Sequence, residues 1–325
     1  MKKVKWGVLG TAGIAKGCGI PGIQQAENAI PYAIASRSLE KASAWKEEFG
    51  FEKAYGSYEE LLADPEVEAV YIPLPNTLHY EWTIKALNAK KHVLCEKPLA
   101  PSAKQAEEMI ETANKNGVFL MEAFAYLHSP FTKAIKEELD KKTIGDVLYM
   151  ESAFLYSDYD MSNIRMRRET LGGSLYDLGC YNTSQILWMF EDEPDKIQAI
   201  SDFSEENIDV YTTAILSYID GRRAVLNCGM TLATNADHRI DRFQIHGTKG
   251  CIKSDAEFNQ AGLLSYIVRV DGQEVVKTID TPHNYMLEVE QLSRCITEGE
   301  TPHVSNEFTL KNARTLDRIL EKINY

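Results

Sequence analysis

The first part of the chain alternates short apolar runs with segments of helical pattern, and this alternation constrains the fold more than any other feature. The apolar runs, which predict strands, occupy residues 4–10, 29–35, 68–72, 92–95 and 118–121. Helices are predicted between them over residues 39–49, 58–62, 76–89 and 103–116. Strands that alternate with helices pair in parallel. The sequence therefore predicts an α/β fold with a parallel, doubly wound sheet in this part of the chain.

A glycine-rich turn, Gly10-Thr11-Ala12-Gly13-Ile14, follows the first predicted strand. The next strand begins about 20 residues later, which is the spacing of a β-turn-α-β unit that binds a dinucleotide. Glycine lets the backbone approach a pyrophosphate at the N-terminus of the following helix. Because Ala12 stands where the G-x-G-x-x-G pattern has its second glycine, a glycine-rich turn without a ligand is the alternative.

The second predicted strand ends in Ser36-Arg37-Ser38, at the place where folds selective for NAD carry Asp or Glu. No carboxylate here would repel a 2′-phosphate, and a guanidinium with two hydroxyls can hydrogen-bond to one. Arg37 can also stack on an adenine ring. We therefore expect NADP(H) to be preferred, with NAD(H) as the alternative cofactor. The competing interpretation of Arg37 is a solvated residue at a helix start.

Two further predicted strands end in polar residues, and the carboxyl ends of parallel strands border the ligand crevice of such a sheet. Glu96-Lys97-Pro98 follows the fourth run, and lysine is a cation whose pKa moves readily on desolvation, so Lys97 is a candidate catalytic residue. Pro73, Asn76 and His79 follow the third run. We expect these three residues, with Glu96 and Lys97, to contribute to the cofactor site. The alternatives are a capping Asn76, a packed His79 and a surface Lys97 before a turn.

The pattern changes after about Ala123. Asp220-Gly221 lies between apolar runs at 211–218 and 223–228, and Asp271-Gly272 lies between runs at 264–270 and 274–279. Asp-Gly between such runs is a strong hairpin signal. We therefore place a dinucleotide-binding domain at residues 1–123. Residues 124–325 should form a second α/β domain with a mostly antiparallel open sheet, whose exposed face is a candidate dimerisation surface.

One predicted helix of the second domain carries candidate acid–base groups. Gly172-Gly173 precedes the helix, and glycine allows another surface to approach closely. Asp177 and Tyr181 are four residues apart and therefore lie on one helix face. A carboxylate and a phenol that converge on one place suit acid–base catalysis. The alternative is that Asp177 caps or pairs locally and that Tyr181 belongs to the core.

Composition disfavours several classes of partner. The formal net charge is −13, and both nucleic acid and anionic membranes bind basic surfaces. The six cysteines are scattered and the seven histidines form no H-x-x-x-H pair, so we expect no metal site. No apolar stretch approaches the ~20 residues that span a bilayer, and no signal peptide follows Met1. We expect a cytoplasmic protein that contacts neither nucleic acid nor membrane.

Taken together, these motifs resemble the glucose–fructose oxidoreductase/inositol dehydrogenase/MocA (Gfo/Idh/MocA) family over essentially the whole chain. The ordered set is far more specific than any one motif. The motifs are Lys5-Trp6-Gly7-Val8-Leu9-Gly10-Thr11-Ala12 with Ile14-Ala15, Pro75-Asn76 with His79, Glu96-Lys97-Pro98, and Gly172-Gly173 with Asp177 and Tyr181.

The resemblance implies a Rossmann domain followed by an α/β domain, and hydride transfer at a carbinol carbon of a sugar, polyol or vicinal diol. It implies that Lys97 is the catalytic lysine and that Asp177 and Tyr181 act with it. Arg165 resembles a recurrent arginine near the active-site loop, which makes it a candidate substrate-binding residue. Tyr181 and Ser36-Arg37 are most similar to the NADP-dependent branch that includes dimeric dihydrodiol dehydrogenases and D-xylose dehydrogenases. That branch implies a homodimer or a higher homo-oligomer.

A mechanism follows from this assignment. A free phenol has a pKa near ~10, too high for an effective base at neutral pH, and an adjacent lysine cation would lower it. We therefore expect Tyr181 to carry the proton and Lys97 to activate it, with Asp177 orienting the substrate or the lysine. Lys97 as the direct base is the alternative.

The chain departs from the family in one segment. Relatives often read Met-Tyr-Arg, an aromatic residue or His, and His-Pro after the last Rossmann strand, whereas this chain reads Ala125-Tyr126-Leu127-His128-Ser129-Pro130. The departure leaves the specific substrate open. The alternative functions are an NADPH-dependent reductase of a ketosugar or anhydrosugar, and a non-catalytic NADP-binding regulator.

Overall fold

The computed structural model describes residues 2–157, 163–231 and 239–325. The chain folds as two compact units. The first comprises Met1–His128 and Pro282–Thr309, and the second comprises Ser129–Thr281 and Leu310–Tyr325. The helices are α1 (Ile20–Gln25), α2 (Leu39–Phe49), α3 (Tyr58–Ala63), α4 (Asn76–Asn88), α5 (Ala103–Asn116), α6 (Pro130–Asp140), α7 (Cys180–Phe190), α8 (Asn284–Glu298) and α9 (Asn306–Ile323).

The first unit is built on a parallel sheet of six strands in the order β3-β2-β1-β4-β5-β6. Every neighbouring pair is parallel, which confirms the predicted α/β class. The sequence did not predict β3, because it is only three residues long and half-buried, so it carries no apolar run. The strands are β1 (Val4–Leu9), β2 (Ala29–Ala35), β3 (Lys53–Tyr55), β4 (Ala69–Ile72), β5 (His92–Glu96) and β6 (Leu120–Ala123).

Local capping sets where the helices of this unit begin. The hydroxyls of Ser38, Ser57 and Ser102 each accept a hydrogen bond from the backbone N–H three residues later, at the starts of α2, α3 and α5. Such side-chain caps satisfy one of the backbone donors that a helix start leaves unpaired. Helix α5 ends at Gly117, whose φ of 66° places it in the left-handed region that favours glycine. These starts and ends agree with the predicted helices.

Helix α8 belongs to the first unit, although a single boundary after Ala123 placed residues 282–309 in the second. The indole Nε1 of Trp6 in β1 donates a buried hydrogen bond of 3.1 Å to Ser293 Oγ of α8. Gly22 of α1 packs so closely on Tyr285 that a Cβ there would lie 2.8 Å from its backbone carbon. These partners are separated by more than 260 residues, and no local pattern reports such a contact.

The second unit is built on an eight-stranded sheet in the order β14-β13-β12-β11-β7-β10-β9-β8. All neighbouring pairs are antiparallel except β7 with β10, so the predicted mostly antiparallel sheet is confirmed. Both predicted Asp-Gly hairpins form, β9 with β10 and β13 with β14. The strands are β7 (Val147–Tyr156), β8 (Lys196–Phe203), β9 (Asp209–Ser217), β10 (Arg223–Gly229), β11 (Arg239–Gly247), β12 (Gly250–Ser254), β13 (Gly262–Val270) and β14 (Gln273–Thr281).

Helix α7 is the central helix of the second unit and is buried along nearly its whole length. Two of its polar side chains make hydrogen bonds inside the unit: Asn182 donates to Ser152 Oγ at 2.8 Å, and Thr183 donates to Asn312 Oδ1 at 2.7 Å. A π-helical turn, Leu175–Gly179, leads directly into α7. Hydrogen bonds between buried polar groups help to fix the position of the helix that carries them. No helix within the described ranges is long and apolar enough to cross a membrane.

Candidate functional site

A cleft of about 520 Å³ opens at the carboxyl ends of β1, β2 and β4 in the first unit. It brings together seven predicted cofactor residues, Gly10, Thr11, Ala12, Ser36, Arg37, Ser38 and Pro73. Lys41, Tyr58, Leu74 and Pro75 complete the lining. This is the edge at which an open parallel sheet binds its ligands.

Gly10 shapes the floor of the cleft. Its φ of 109° is a conformation that residues with a Cβ rarely adopt, and a Cβ would lie 2.8 Å from Leu74 Cδ2. Its N–H donates to the Ala35 carbonyl of β2 at 2.8 Å, so the turn is tied to the neighbouring strand. Gly13 and Ile14 begin the helical segment that leads into the π-helical turn Ala15–Gly19. The turn therefore lets a ligand approach the backbone, as a pyrophosphate requires.

The end of β2 offers the donors that a phosphate monoester needs. Ser36 is buried, and its Oγ accepts from the Ser38 N–H at 3.4 Å, while Ser38 caps α2 by accepting from the Lys41 N–H at 3.3 Å. Arg37 and Lys41 add two cationic side chains to the same wall. Lys41 was not predicted. It lies one helical turn after the cap Ser38 and therefore projects from the same side of α2 as Ser38. Two hydroxyls and two cations form a donor set that fits a 2′-phosphate.

Tyr58, also missed, lies at the start of α3 and lines the same cleft. Its ring packs edge-on against Trp82, with ring centroids 4.7 Å apart. Burial raises the pKa of the Tyr58 phenol, and the nearby Arg37 charge opposes that rise. Tyr58 therefore presents a neutral hydroxyl beside the guanidinium.

His79 lies behind the cleft wall and is completely buried. Its Nδ1 is 2.8 Å from the Pro98 carbonyl oxygen, and its Nε2 is 2.7 Å from the Leu74 carbonyl oxygen. Burial lowers the pKa of the ring, so the neutral form donates to one of these carbonyls. The imidazole thus ties the segment after β4 to the segment after β5, which agrees with the packed His79 given as the alternative. A contact between His79 and the cofactor stays a prediction. Asn76 is the first residue of α4, whose N-cap position is Pro75.

Lys97 directly follows β5, and the carboxyl groups of Glu96 and Glu122 at the ends of β5 and β6 are buried. Glu96 Oε1 accepts from the Tyr71 hydroxyl at 2.6 Å, and Glu96 Oε2 accepts from the Lys97 N–H at 3.3 Å. Glu122 Oε1 accepts from the Leu99 N–H at 2.8 Å. Burial raises the pKa of Glu122 to about 7, and the Lys97 charge opposes that rise. The lysine therefore sits on a rigid, hydrogen-bonded support, as a catalytic group requires.

In the second unit the structure pairs Arg165 with Asp177. Arg165 Nε lies 2.9 Å from Asp177 Oδ2, and the Asp177 side chain is 12% exposed whereas the Arg165 side chain is 39% exposed. Arg165 reaches this position from a 3₁₀ turn, Ile164–Met166, that begins after Asn163. The predicted substrate residue and the predicted catalytic carboxylate therefore belong to one ion pair.

Tyr181 is in the first turn of α7 and is buried. Asn259 Nδ2 donates to its hydroxyl at 3.2 Å, and the rings of Phe154 and Phe258 lie 5.7 and 5.1 Å from the Tyr181 ring. An amide donor at the phenol oxygen stabilises the phenolate form. Asn259 was not predicted, because it lies 78 residues further along the chain. Its φ of 61° places it in the left-handed region, which Asn tolerates.

Within residues 2–157, 163–231 and 239–325, no group of three or more His, Cys, Asp or Glu side chains is arranged to hold a metal ion. The described chain also holds no disulfide, since all its cysteines are reduced.

Comparison with known proteins matches two family models to this chain. Residues 4–124 match an oxidoreductase family with an NAD-binding Rossmann fold, and residues 132–253 match the GFO/IDH/MocA C-terminal domain. A D-xylose 1-dehydrogenase (NADP(+)) from Haloferax volcanii is 37% identical over 97% of this chain and 96% of its own length. A trans-1,2-dihydrobenzene-1,2-diol dehydrogenase from Xenopus tropicalis is 32% identical over 90% of this chain and 89% of its own length.

Among solved structures, a 3-ketoreductase from Actinomadura kijaniata in complex with NADP and TDP-benzene superposes with a TM-score of 0.92 at 27% identity. The match covers 99% of this chain and 98% of that one. Both the sequence matches and the shared fold extend over essentially the whole chain. The protein therefore belongs to the Gfo/Idh/MocA oxidoreductase family.

Proposed function

We propose that the protein is an NADP(H)-dependent oxidoreductase that moves a hydride to or from a carbinol carbon of a sugar, polyol or vicinal diol. The observation that carries the proposal is the cleft in which Ser36, Arg37, Ser38 and Lys41 surround the end of β2. The NADP-dependent xylose dehydrogenase among the relatives supports the cofactor, and it supports the substrate class together with the diol dehydrogenase.

The residues present fit NADP. The backbone of Gly10, Thr11 and Ala12 would hold the pyrophosphate, and the end of β2 would hold the 2′-phosphate. When bound, the nicotinamide supplies or accepts the hydride. The protein binds the cofactor, orients the reacting carbon and moves the proton.

Oxidation of a carbinol requires a base that takes the hydroxyl proton, and reduction requires the corresponding acid. Tyr181 is our proton carrier, because its hydroxyl accepts from Asn259 and its ring is fixed between Phe154 and Phe258. Lys97 polarises the reacting oxygen of the substrate, and its positive charge lowers the pKa of the Tyr181 phenol. Asp177, held by Arg165, orients the substrate or the lysine. Lys97 as the direct base is the alternative.

A second candidate is an NADPH-dependent reductase of a ketosugar, favoured by the similarity to a sugar 3-reductase and to the 3-ketoreductase structure. Both candidates use the same residues, because reduction runs the same path backwards. A non-catalytic NADP-binding regulator is less well supported, since binding alone requires neither Lys97 nor the pair Asp177 and Tyr181.

Arg37→Ala tests the cofactor site. We expect the Kd for NADPH to rise about 10- to 100-fold, because hydrogen bonds to charged groups contribute about 1.5–3 kcal/mol. The Kd for NADH should change little, because NADH has no 2′-phosphate. Titration of the cofactor's fluorescence measures both constants. Lys46→Ala is the matched control, since Lys46 lies on the following helix α2, is not part of the cleft lining and pairs with Glu47. Tighter binding of NADH than of NADPH by the wild-type protein would contradict the proposal.

We further propose that residues 1–123 hold the cofactor, that residues 124–325 hold the substrate, and that the protein works in the cytoplasm as a homodimer. Ile200 of β8 and Ile215 of β9 are 73% and 40% exposed. The register pairs Ile200 with Thr213 and Gln198 with Ile215, so both isoleucines project from one face of the sheet. Exposed apolar side chains on a sheet face support an interface with a second copy.

Light scattering after size-exclusion chromatography tests the homodimer. The wild-type protein should elute as a dimer, and a variant with Ile200→Lys and Ile215→Lys should elute as a monomer, because each buried lysine would bring an unpaired charge into the interface. Ile219→Lys, at a 90% exposed turn residue, is the control and should leave the dimer intact. A wild-type monomer would refute this part of the proposal.

A further inference from the structure

We propose that Asp209 is the positioning residue for the helical segment that carries Asp177 and Tyr181. Its carboxylate holds Arg165 and Asp177 at the distance at which they form their ion pair. The inference rests on the proposed catalytic roles of Asp177 and Tyr181. Asp209 lies in none of the motifs on which the family resemblance depends, and it is the first residue of β9.

Asp209 caps this helical segment from outside it. The N-cap position before the π-helical turn is Ser174, whose side chain makes no capping hydrogen bond. Asp209 Oδ2 takes that place: it accepts from the Leu175 N–H at 2.7 Å and from Ser174 Oγ at 2.6 Å. Thr212 Oγ1 donates to the same oxygen at 3.0 Å. A strand residue therefore supplies the acceptor, and the negative charge, that a helix start requires.

Gly172 and Gly173, which precede the helix, allow the Asp209 carboxylate to approach the backbone closely. Gly173 has a φ of 110°, and a Cβ on it would overlap Asp209 Oδ1. A Cβ on Gly172 would overlap the Arg165 carbonyl oxygen, and the Gly173 N–H donates to that same oxygen at 2.8 Å. Because neither glycine has a Cβ, Asp209 and the backbone of Arg165 can both pack against the turn that Gly172 and Gly173 form. A displacement of Asp209 would therefore shift Gly172 and Gly173, and with them Arg165, which pairs with Asp177.

The same turn is held on its other side by Tyr325, whose hydroxyl donates to the Gly172 carbonyl oxygen at 2.6 Å. A turn held from both sides has little freedom to adjust when one support is removed. Asp209 is completely buried, and burial of an ionisable group without a paired cation is unfavourable for folding. Burial raises the pKa of Asp209 to about 6, and the donors from Ser174, Leu175 and Thr212 oppose that rise. Because burial of this carboxylate is unfavourable for folding, a role in stabilising the fold does not explain Asp209. A role in positioning the helix does explain it.

The test compares Asp209→Ala, Asp209→Asn and Thr213→Val. Thr213 is on the same strand, but its hydroxyl donates to Asn227 of β10 rather than to Asp209. We expect Asp209→Ala to lower kcat about 100-fold, because misplacement of catalytic groups by about 1 Å has effects of that size, with the KM for NADP(H) unchanged. Asp209→Asn keeps one acceptor oxygen and should recover most of kcat. Thr213→Val should match the wild type. Circular dichroism confirms that each variant is folded.

Hydrogen exchange followed by mass spectrometry supplies a readout that does not depend on turnover. In Asp209→Ala, amides of residues 174–181 should exchange faster, whereas those of α8 should not change. If the wild-type protein oxidised and reduced no substrate, the proposed function would fail, and the exchange pattern would still decide the role of Asp209. Wild-type kcat in a folded Asp209→Ala variant, or equal acceleration throughout residues 129–281, would overturn the proposal.

Discussion

Lys97→Met should reduce kcat about 10²- to 10⁴-fold while NADPH still binds, which is the range expected when a group that assists proton transfer is lost. Methionine has a similar length and no charge, so the substitution removes the cation and leaves most of the packing. The supports of the lysine, Glu96 with Tyr71 and the Glu122–Leu99 hydrogen bond, do not involve its side chain and should persist. Steady-state turnover, combined with titration of NADPH fluorescence, separates loss of catalysis from loss of binding.

Lys104→Met is the matched control for this change. Lys104 is an exposed residue of the following helix α5, and its replacement should leave kcat unaltered. Retention of wild-type kcat by Lys97→Met would show that Lys97 has no catalytic role.

Tyr181→Phe should lower kcat about 10²- to 10³-fold and remove one limb of the pH–rate profile, since the substitution deletes the hydroxyl that is the proposed proton carrier. The hydrogen bond that this hydroxyl accepts from Asn259 is lost with it. The packing of the ring against Phe154 and Phe258 should be preserved, so the variant should remain folded. The pH dependence of kcat measures the effect. Loss of a limb in Tyr181→Phe assigns the proton to the phenol, and a full profile at reduced rate assigns it to Lys97.

Tyr218→Phe controls for the loss of a buried phenol as such. Tyr218 is buried in the same unit and packs on Phe190, with ring centroids 5.0 Å apart. Its replacement should not change kcat. Full kcat in Tyr181→Phe would make the assignment of the proton carrier wrong.

The parts of the fold that follow local rules were predictable from the sequence. Helix α2 runs over the predicted residues 39–49 because Ser38 caps it and Gly50, at a φ of 72°, ends it. The Asp-Gly hairpins formed where the dipeptide supplies the positive φ that a tight turn needs. The glycine turn and Ser36-Arg37-Ser38 were placed in one cleft because parallel strands end at one edge of the sheet.

The parts that depend on distant contacts were not predictable. Asn259 reaches Tyr181 across 78 residues, and Trp6 reaches Ser293 across 287, so no local pattern could report either contact. His79 illustrates the same limit. Its position after a strand is compatible with a contact with the cofactor and with packing, and the structure shows both ring nitrogens facing backbone carbonyls in the interior. Only the packed structure shows which way such a side chain turns.

The most direct test of the central claim is absorbance at the NADPH band with NADP and a panel of aldoses, inositols and vicinal diols, followed by NADPH with ketosugars. We expect at least one substrate to produce or consume NADPH with the wild-type protein, and we expect Lys97→Met to slow this reaction about 100-fold or more while NADPH remains bound. Binding of NADPH without turnover of any substrate in either direction would contradict it and would favour a binding-only regulator.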